Sequence, residues 1–225
     1  MSDLANWTAR ITPDLKSVHG RYVTIEPTAF SKHANGLFDV IGGSQNDDLW
    51  SHVAIGPWKS AALFGQAMEM HAENDGWITH LFRDAHSAEM LGMASYMRNR
   101  PEQGSTEVGC VVFSKKLQRT AAATEAMYLM ARHVFEDLGY RRYEWKCNNA
   151  NEPSKRAALR LGFTFEGVFR QDMVVKGQNR DTAWFSVTDG EWPLVKAAFE
   201  AWLEPANFAP DGVQKRSLAD IRAAL

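Results

Sequence analysis

Phe113–Glu125 reads FSKKLQRTAAATE: the end of an apolar run, a turn holding two lysines and an arginine, then the alanine-rich start of a helix. A strand that breaks into such a turn and re-enters as a helix gathers unpaired backbone N–H groups and the positive end of a helix dipole at one point. That point suits a phosphate-bearing ligand. The elements on either side of it decide the fold.

Upstream lie three runs rich in apolar and β-branched residues, Trp77–Phe82 (WITHLF), Met90–Met97 (MLGMASYM) and Val108–Phe113 (VGCVVF). Short polar loops join them, which predicts an antiparallel meander. Downstream, Thr120–Leu138 has its deepest apolar stripe at Ala123, Met127, Met130, Val134 and Leu138, with Tyr128, Leu129 and Phe135 elsewhere on the helix and Gly139 as the C′ residue. A helix so apolar around its circumference is expected to be covered on most sides. Arg142–Cys147 then alternates, Tyr143, Trp145 and Cys147 facing one way and Arg142, Glu144 and Lys146 the other. Strand, long helix, strand is a crossover unit, so these two strands are expected to be parallel.

Further out, Arg21–Glu26 reads as a first strand. Helices follow around Ala34, Leu37, Phe38 and Ile41, and around Phe64, Ala67, Met68 and His71. Between them a loop carries Trp50 and Trp58, read as indoles that pin the loop to the core. After Cys147 come a turn, a short helix placing Ser154, Ala158 and Leu161 on one face, and a hairpin of Phe169–Val175 with Thr182–Thr188. Val195, Ala198, Phe199 and Trp202 form the stripe of a C-terminal helix, and Leu218, Ile221 and Leu225 a short amphipathic end. The pattern predicts a mixed, mostly antiparallel α/β (α+β) domain over residues 1–190 and a C-terminal helical extension over 191–225. The terminal stripe either docks back on the domain or pairs two copies as a homodimer; docking is the plainer reading.

The 225 residues are 45% hydrophobic with a formal net charge of −2, and lysine and arginine are spread along the chain. Neither a nucleic-acid surface nor a membrane surface is expected. Cys110 and Cys147 each lie in a strand-like run without CxxC or zinc spacing, so they read as reduced residues of a cytoplasmic protein that holds no metal. The N-terminal segment has no basic region followed by an apolar one. Walker A, GxGxxG, HExxH, GxSxG and EF-hand patterns are missing, which disfavours the enzymes built on them.

The central turn itself points elsewhere. Gln118-Arg119-Thr120-Ala121-Ala122-Ala123 resembles the acetyl-CoA diphosphate loop of the GNAT N-acetyltransferases, Q/R-x-x-G-x-G/A, and runs on into Thr124-Glu125-Ala126 as in the RimJ/RimL-like branch. Asn151-x-x-Ser154-x-Arg156-Ala157, Leu161-Gly162-Phe163 and Glu166-Gly167 are similar to the branch's second signature, and Asp181–Trp192 to its last hairpin. The resemblance spans residues 15–193. It implies acetyl transfer from acetyl-CoA to a primary amine, a protein N-terminus or a small molecule, by direct attack. A non-catalytic acyl-CoA-binding module, or an acyltransferase using succinyl-CoA or another acyl donor, is the alternative.

The resemblance also implies roles. Arg119–Thr124 would cradle the diphosphate with Gln118 beside them, and a backbone N–H among Val111, Val112 and Phe113 would polarise the thioester carbonyl if that strand bulges and splays from its parallel neighbour. Ser154 would protonate the leaving thiolate and Asn151 contact the pantetheine arm. Glu107 opens an otherwise apolar strand, where desolvation would raise its pKa towards that of a useful base; Glu166, His80 and Asp172 compete with it, and Met173 stands where some members of the branch have a proposed base. One departure stands out: Ala121 occupies the loop's first glycine position. If its geometry is ordinary right-handed helix, its N–H can still donate. Acidic and aromatic residues around Trp50, Trp58 and His80 were expected to line the amine pocket.

Overall fold

The computed structural model describes residues 4–225; Met1–Asp3, the start of the segment read as lacking a leader, lie outside the described residues. In chain order the elements are β1 (Val18–His19), β2 (Val23–Pro27), α1 (Phe30–Ile41), α2 (Ala61–Asp75), β3 (Ile78–Asp84), β4 (Met90–Arg100), β5 (Ser105–Phe113) and α3 (Ala121–Arg132). Then come β6 (Arg142–Asn148), α4 (Glu152–Arg160), β7 (Thr164–Val175), β8 (Gln178–Thr188), α5 (Trp192–Leu203) and α6 (Leu218–Ala223). The strands form one eight-stranded sheet in the order β1-β2-β3-β4-β5-β6-β8-β7. Only the β5–β6 pair is parallel, as the crossover through α3 requires.

Each face of the sheet buries its own apolar cluster. One, under α3, α5 and α6, includes Val108, Met130, Tyr143, Phe185, Phe199 and Ile221; the other, under α1 and α2, includes Phe30, Leu37, Trp50, Phe64, Met93 and Val112. Val108 and Val112 are four residues apart in one strand and would share a face in a regular one. They lie on opposite faces because β5 carries one extra residue between Gly109 and Val112, where Cys110 has φ +46°. That bulge flips the rest of the strand.

α3 is the buried crossover helix, and Glu125 ties it to the N-terminal hairpin. Its carboxylate accepts hydrogen bonds from the Arg21, Tyr22 and Val23 N–H groups at 2.8, 2.7 and 3.0 Å. The helix was expected to run to Leu138; instead regular α geometry stops at Arg132 and a wide π turn covers His133–Asp137. The buried Tyr96 hydroxyl donates to the Met130 carbonyl at 2.9 Å, and a side chain inserted into the helix ladder is a known cause of such a turn. The terminal stripe docks on its own chain: Val195, Ala198, Phe199, Trp202, Leu218 and Ile221 are all buried in the α3-side cluster. This removes the stripe as an argument for a homodimer. Among the described residues no helix is long and apolar enough to cross a membrane.

Candidate active site

The bulge in β5 also opens the sheet. Parallel pairing with β6 runs through Ser105↔Arg142, Thr106↔Tyr143 and Glu107↔Glu144 and then stops. Beyond Glu107 the edge of β5 that faced β6 has no strand partner, so Val111–Phe113 border a cleft between two diverging strands. The splay anticipated from sequence is present.

At the end of β5 the chain turns tightly. Leu117 and Gln118 N–H both donate to the Ser114 carbonyl, and the Gln118 amide reaches back to the Phe113 carbonyl at 3.0 Å. Arg119 takes the left-handed conformation, φ +62°. Thr120 caps α3, its hydroxyl accepting from Ala123 N–H at 3.1 Å and donating to the Leu117 carbonyl at 2.7 Å. Ala121 begins the helix without a positive φ, so the substitution of its expected glycine introduces no strain there. The N–H groups of Arg119, Thr120, Ala121 and Ala122 have no partner among the described residues, whereas Ala123 and Thr124 N–H are taken up by Thr120. Thr124 is buried, its hydroxyl accepting from Arg160 at 3.1 Å and so joining α3 to α4. The open donors are therefore residues 119–122, at the end of the cleft.

On the other side of the cleft, Asn151 caps α4 through Ser154 N–H at 3.1 Å. Half-buried Ser154 accepts a hydrogen bond from the Trp145 indole N–H at 3.0 Å. Burial pushes the Cys147 thiol up in pKa, a hydrogen bond with Ser154 pulling the other way. Cys110, in the bulge, is pushed up to about 12 by burial, so neither thiol is a ready thiolate.

The opposite face holds the larger opening, a cavity of about 520 Å³. Arg98, Arg100, Glu144, Lys146, Trp184 and Met173 are among the residues that line it. Glu107 lies against it, almost fully buried, with Arg98 Nε and Lys146 Nζ each 3.6 Å from its Oε2. Burial raises its pKa to about 7, offset in part by Lys146 and Arg98 and reinforced by Glu144. Gly109 makes room for this carboxylate, since a Cβ there would sit 2.9 Å from Glu107 Oε1.

An acetyltransferase (GNAT) domain family matches residues 25–164. The chain belongs to the GNAT acetyltransferase family. A crystal structure of a GCN5-related N-acetyltransferase from Brucella melitensis is 43% identical over 97% of this chain and 99% of that one, with a TM-score of 0.91. A probable GNAT acetyltransferase from Chromobacterium violaceum is 36% identical over 86% of this chain and 96% of that one, TM-score 0.80. A ribosomal-protein-serine acetyltransferase structure from Vibrio cholerae, 21% identical over 79% of this chain and 99% of that one, TM-score 0.63, shares the fold. No curated protein matches the chain.

Within this GNAT frame the competing bases separate. His80 lies on the α3 side of the sheet against Tyr96, one ring nitrogen paired with the Leu15 carbonyl at 2.9 Å, and burial lowers its pKa. Glu166 is held by both Arg142 nitrogens at 2.6 Å and by Ser186, and the Arg142 bonds keep its pKa low. Asp172 and Met173 line the cavity. Trp50 and Trp58 do not line it: Trp50 is buried, donates to the Ile41 carbonyl and packs edge-on to Trp58 at 4.8 Å. Sequence reasoning missed Arg98, Glu144, Lys146 and Trp184. The β6 alternation had put Glu144 and Lys146 on a polar face, and only the β7–β8 hairpin, whose Lys176 reaches the Trp50 carbonyl at 2.9 Å, turns that face into a cavity.

Proposed function

We propose that the protein transfers an acetyl group from acetyl-CoA to a primary amine by direct attack, as a cytoplasmic enzyme of the RimJ/RimL-like branch. The observation that carries this reading is the opening of β5 from β6 immediately past a buried carboxylate with a pKa near neutrality. The donors fit the co-substrate: four open N–H groups at a helix start, with Arg119 beside them, suit a diphosphate. Acetyl-CoA supplies the activated acyl carbon as a thioester.

The chain's own residues do the rest. Glu107 takes the proton that makes the acceptor an ammonium, leaving a neutral nitrogen to attack. A backbone N–H of Val111–Phe113 polarises the carbonyl as negative charge develops on its oxygen. The N–C bond forms and the C–S bond then breaks; Ser154 gives its proton to the sulfur, and the proton the nitrogen sheds on becoming an amide returns to Ser154 through solvent. Ser154 Oγ accepts from Trp145, so its O–H is the donor it can turn from Cys147 to the leaving sulfur. Asn151 presents the start of α4 to the pantetheine arm. Two free thiols support the cytoplasmic location.

Thermal denaturation with and without acetyl-CoA, then thiol release across acyl donors and amines, tests the reading. Stabilisation by acetyl-CoA and amine-dependent thiol release are expected. No stabilisation at millimolar acetyl-CoA would overturn it, and stabilisation without turnover would leave a binding module.

A further inference from the structure

The cavity beside Glu107 is equipped for both ends of a zwitterion. Some of its charges are matched: Arg142 holds Glu166 and Glu144, and Arg100 donates to Glu144 Oε1. Arg98 and Lys146 are held less closely: each approaches Glu107 Oε2 at 3.6 Å, and Arg98 Nε lies 3.9 Å from Glu144 Oε2. Both stand over the Trp184 ring, at 4.9 and 5.4 Å from its centre, which holds the two cations together.

Buried atoms without partners lie at the same place. Two are acceptors, Glu107 Oε2 and Glu144 Oε2; two are donors, Arg100 Nε and Trp184 Nε1. A simple amine would satisfy only the acceptors. Once Glu107 takes the acceptor's proton, Lys146 loses its nearest counter-charge and Arg98 keeps only Glu144 Oε2, at 3.9 Å; a carboxylate on the acceptor would restore the balance. Because one oxygen of Glu107 is equally near both cations, the amine and that carboxylate must be close neighbours on the same molecule. Phe169, Met173 and Trp184 form an apolar wall beside them.

We infer that the acceptor is a free α-amino acid with an apolar side chain: its amino group at Glu107, its carboxylate at Arg98 and Lys146, its side chain on the Phe169–Trp184 wall. This rests on the acetyl-transfer reading and narrows it. A polyamine or a protein N-terminus lacks the adjacent carboxylate.

The test compares L-phenylalanine with L-phenylalaninamide and phenethylamine, at a pH above 8 so that Glu107 is ionised throughout. Binding is read by calorimetry in the presence of CoA, and turnover by thiol release. The free acid is expected to bind about 30-fold or more tightly than the amide, since its carboxylate meets two cations, Lys146 mostly buried and Arg98 partly exposed. Arg98→Gln and Lys146→Gln are each expected to cut that ratio about 10-fold while acetyl-CoA affinity holds. Equal or better binding of the amide, or a ratio unchanged in both variants, overturns the inference. Selective binding of the acid without thiol release would sink acetyl transfer but support the α-amino acid site. Turnover of amides and not the acid would do the reverse.

Discussion

Glu107 and Glu144 face each other across the parallel β5–β6 ladder as its last register pair, both buried, each with one carboxylate oxygen that meets no hydrogen-bond donor. Past them the strands part. The fork therefore begins where two negative charges would meet out of water, and Glu107 is the one whose pKa is raised, to about 7.

The rate should follow that group. Glu107 acts as a base only when ionised, so kcat/KM for the amine should rise with pH through an apparent pKa of about 7. Glu107→Gln should remove this limb and lower the plateau about 10²- to 10⁴-fold. A pH profile of wild type and variant on a well-accepted amine checks both. An unchanged limb in Glu107→Gln would move the base elsewhere.

Stability should show the same group with the opposite benefit. A carboxyl whose folded pKa is raised from the ordinary 4.5 to about 7 binds its proton more tightly folded than unfolded. Its ionisation therefore costs stability progressively as pH rises across that interval, and the loss is complete above it. At pH 8, Glu107→Gln should be more stable than wild type by on the order of 2 to 3 kcal/mol, and near pH 4 the two should converge. Urea unfolding at several pH values measures the difference.

Ser154→Ala should lower kcat about 100-fold and leave the Kd for acetyl-CoA within about 3-fold. The variant deletes the hydroxyl that Trp145 holds but keeps the Asn151 cap, which uses the Ser154 backbone. Steady-state kinetics beside calorimetry separates the two effects, and an untouched kcat would rule Ser154 out as the acid.

Restoring the expected glycine should not help. Ala121 is already in helical geometry and the left-handed residue of the turn is Arg119. Ala121→Gly should lower stability by about 0.5 to 1 kcal/mol, roughly 1 to 4 °C in melting temperature. The Kd for CoA should stay within about 3-fold; a tenfold gain would mean that the Ala121 methyl obstructs the ligand.

Glu125→Ala should remove the acceptor of three N–H groups of the β1–β2 hairpin, one of them, Val23, buried. A loss of roughly 2 to 4 kcal/mol follows, with kcat per folded molecule unchanged because Glu125 faces away from the cleft. Melting temperature and active-site-normalised rates together distinguish this anchoring role from a chemical one.

Much of the architecture was legible because the relevant patterns are local. The Val108–Phe113 run, the all-round apolarity after Thr120 and the alternation of Tyr143, Trp145 and Cys147 fixed a meander and a parallel crossover. The strand, turn and helix junction at Gln118–Thr124 was readable for the same reason. The bulge at Cys110 was not, because a positive φ at a non-glycine residue has no signature in a run such as VGCVVF. The cavity beside Glu107 was equally hidden: Arg98, Lys146 and Trp184 come from three strands, and only the sheet order β4-β5-β6-β8 brings them together. The wide turn at His133 depends on the Tyr96 hydroxyl, which bonds Met130, 34 residues further along the chain.

The tether from Lys176 to the Trp50 carbonyl divides the molecule's labour in a way that matters for its history. In the proposed reaction the turn after β5 and the fork beside it serve the donor, while the apolar wall of the cavity hangs from a hairpin at the sheet's edge. Substitutions in Thr164–Thr188 can thus remodel what is acetylated without disturbing the machinery that holds the donor. Relatives sharing this framework should diverge in acceptor preference first along that hairpin.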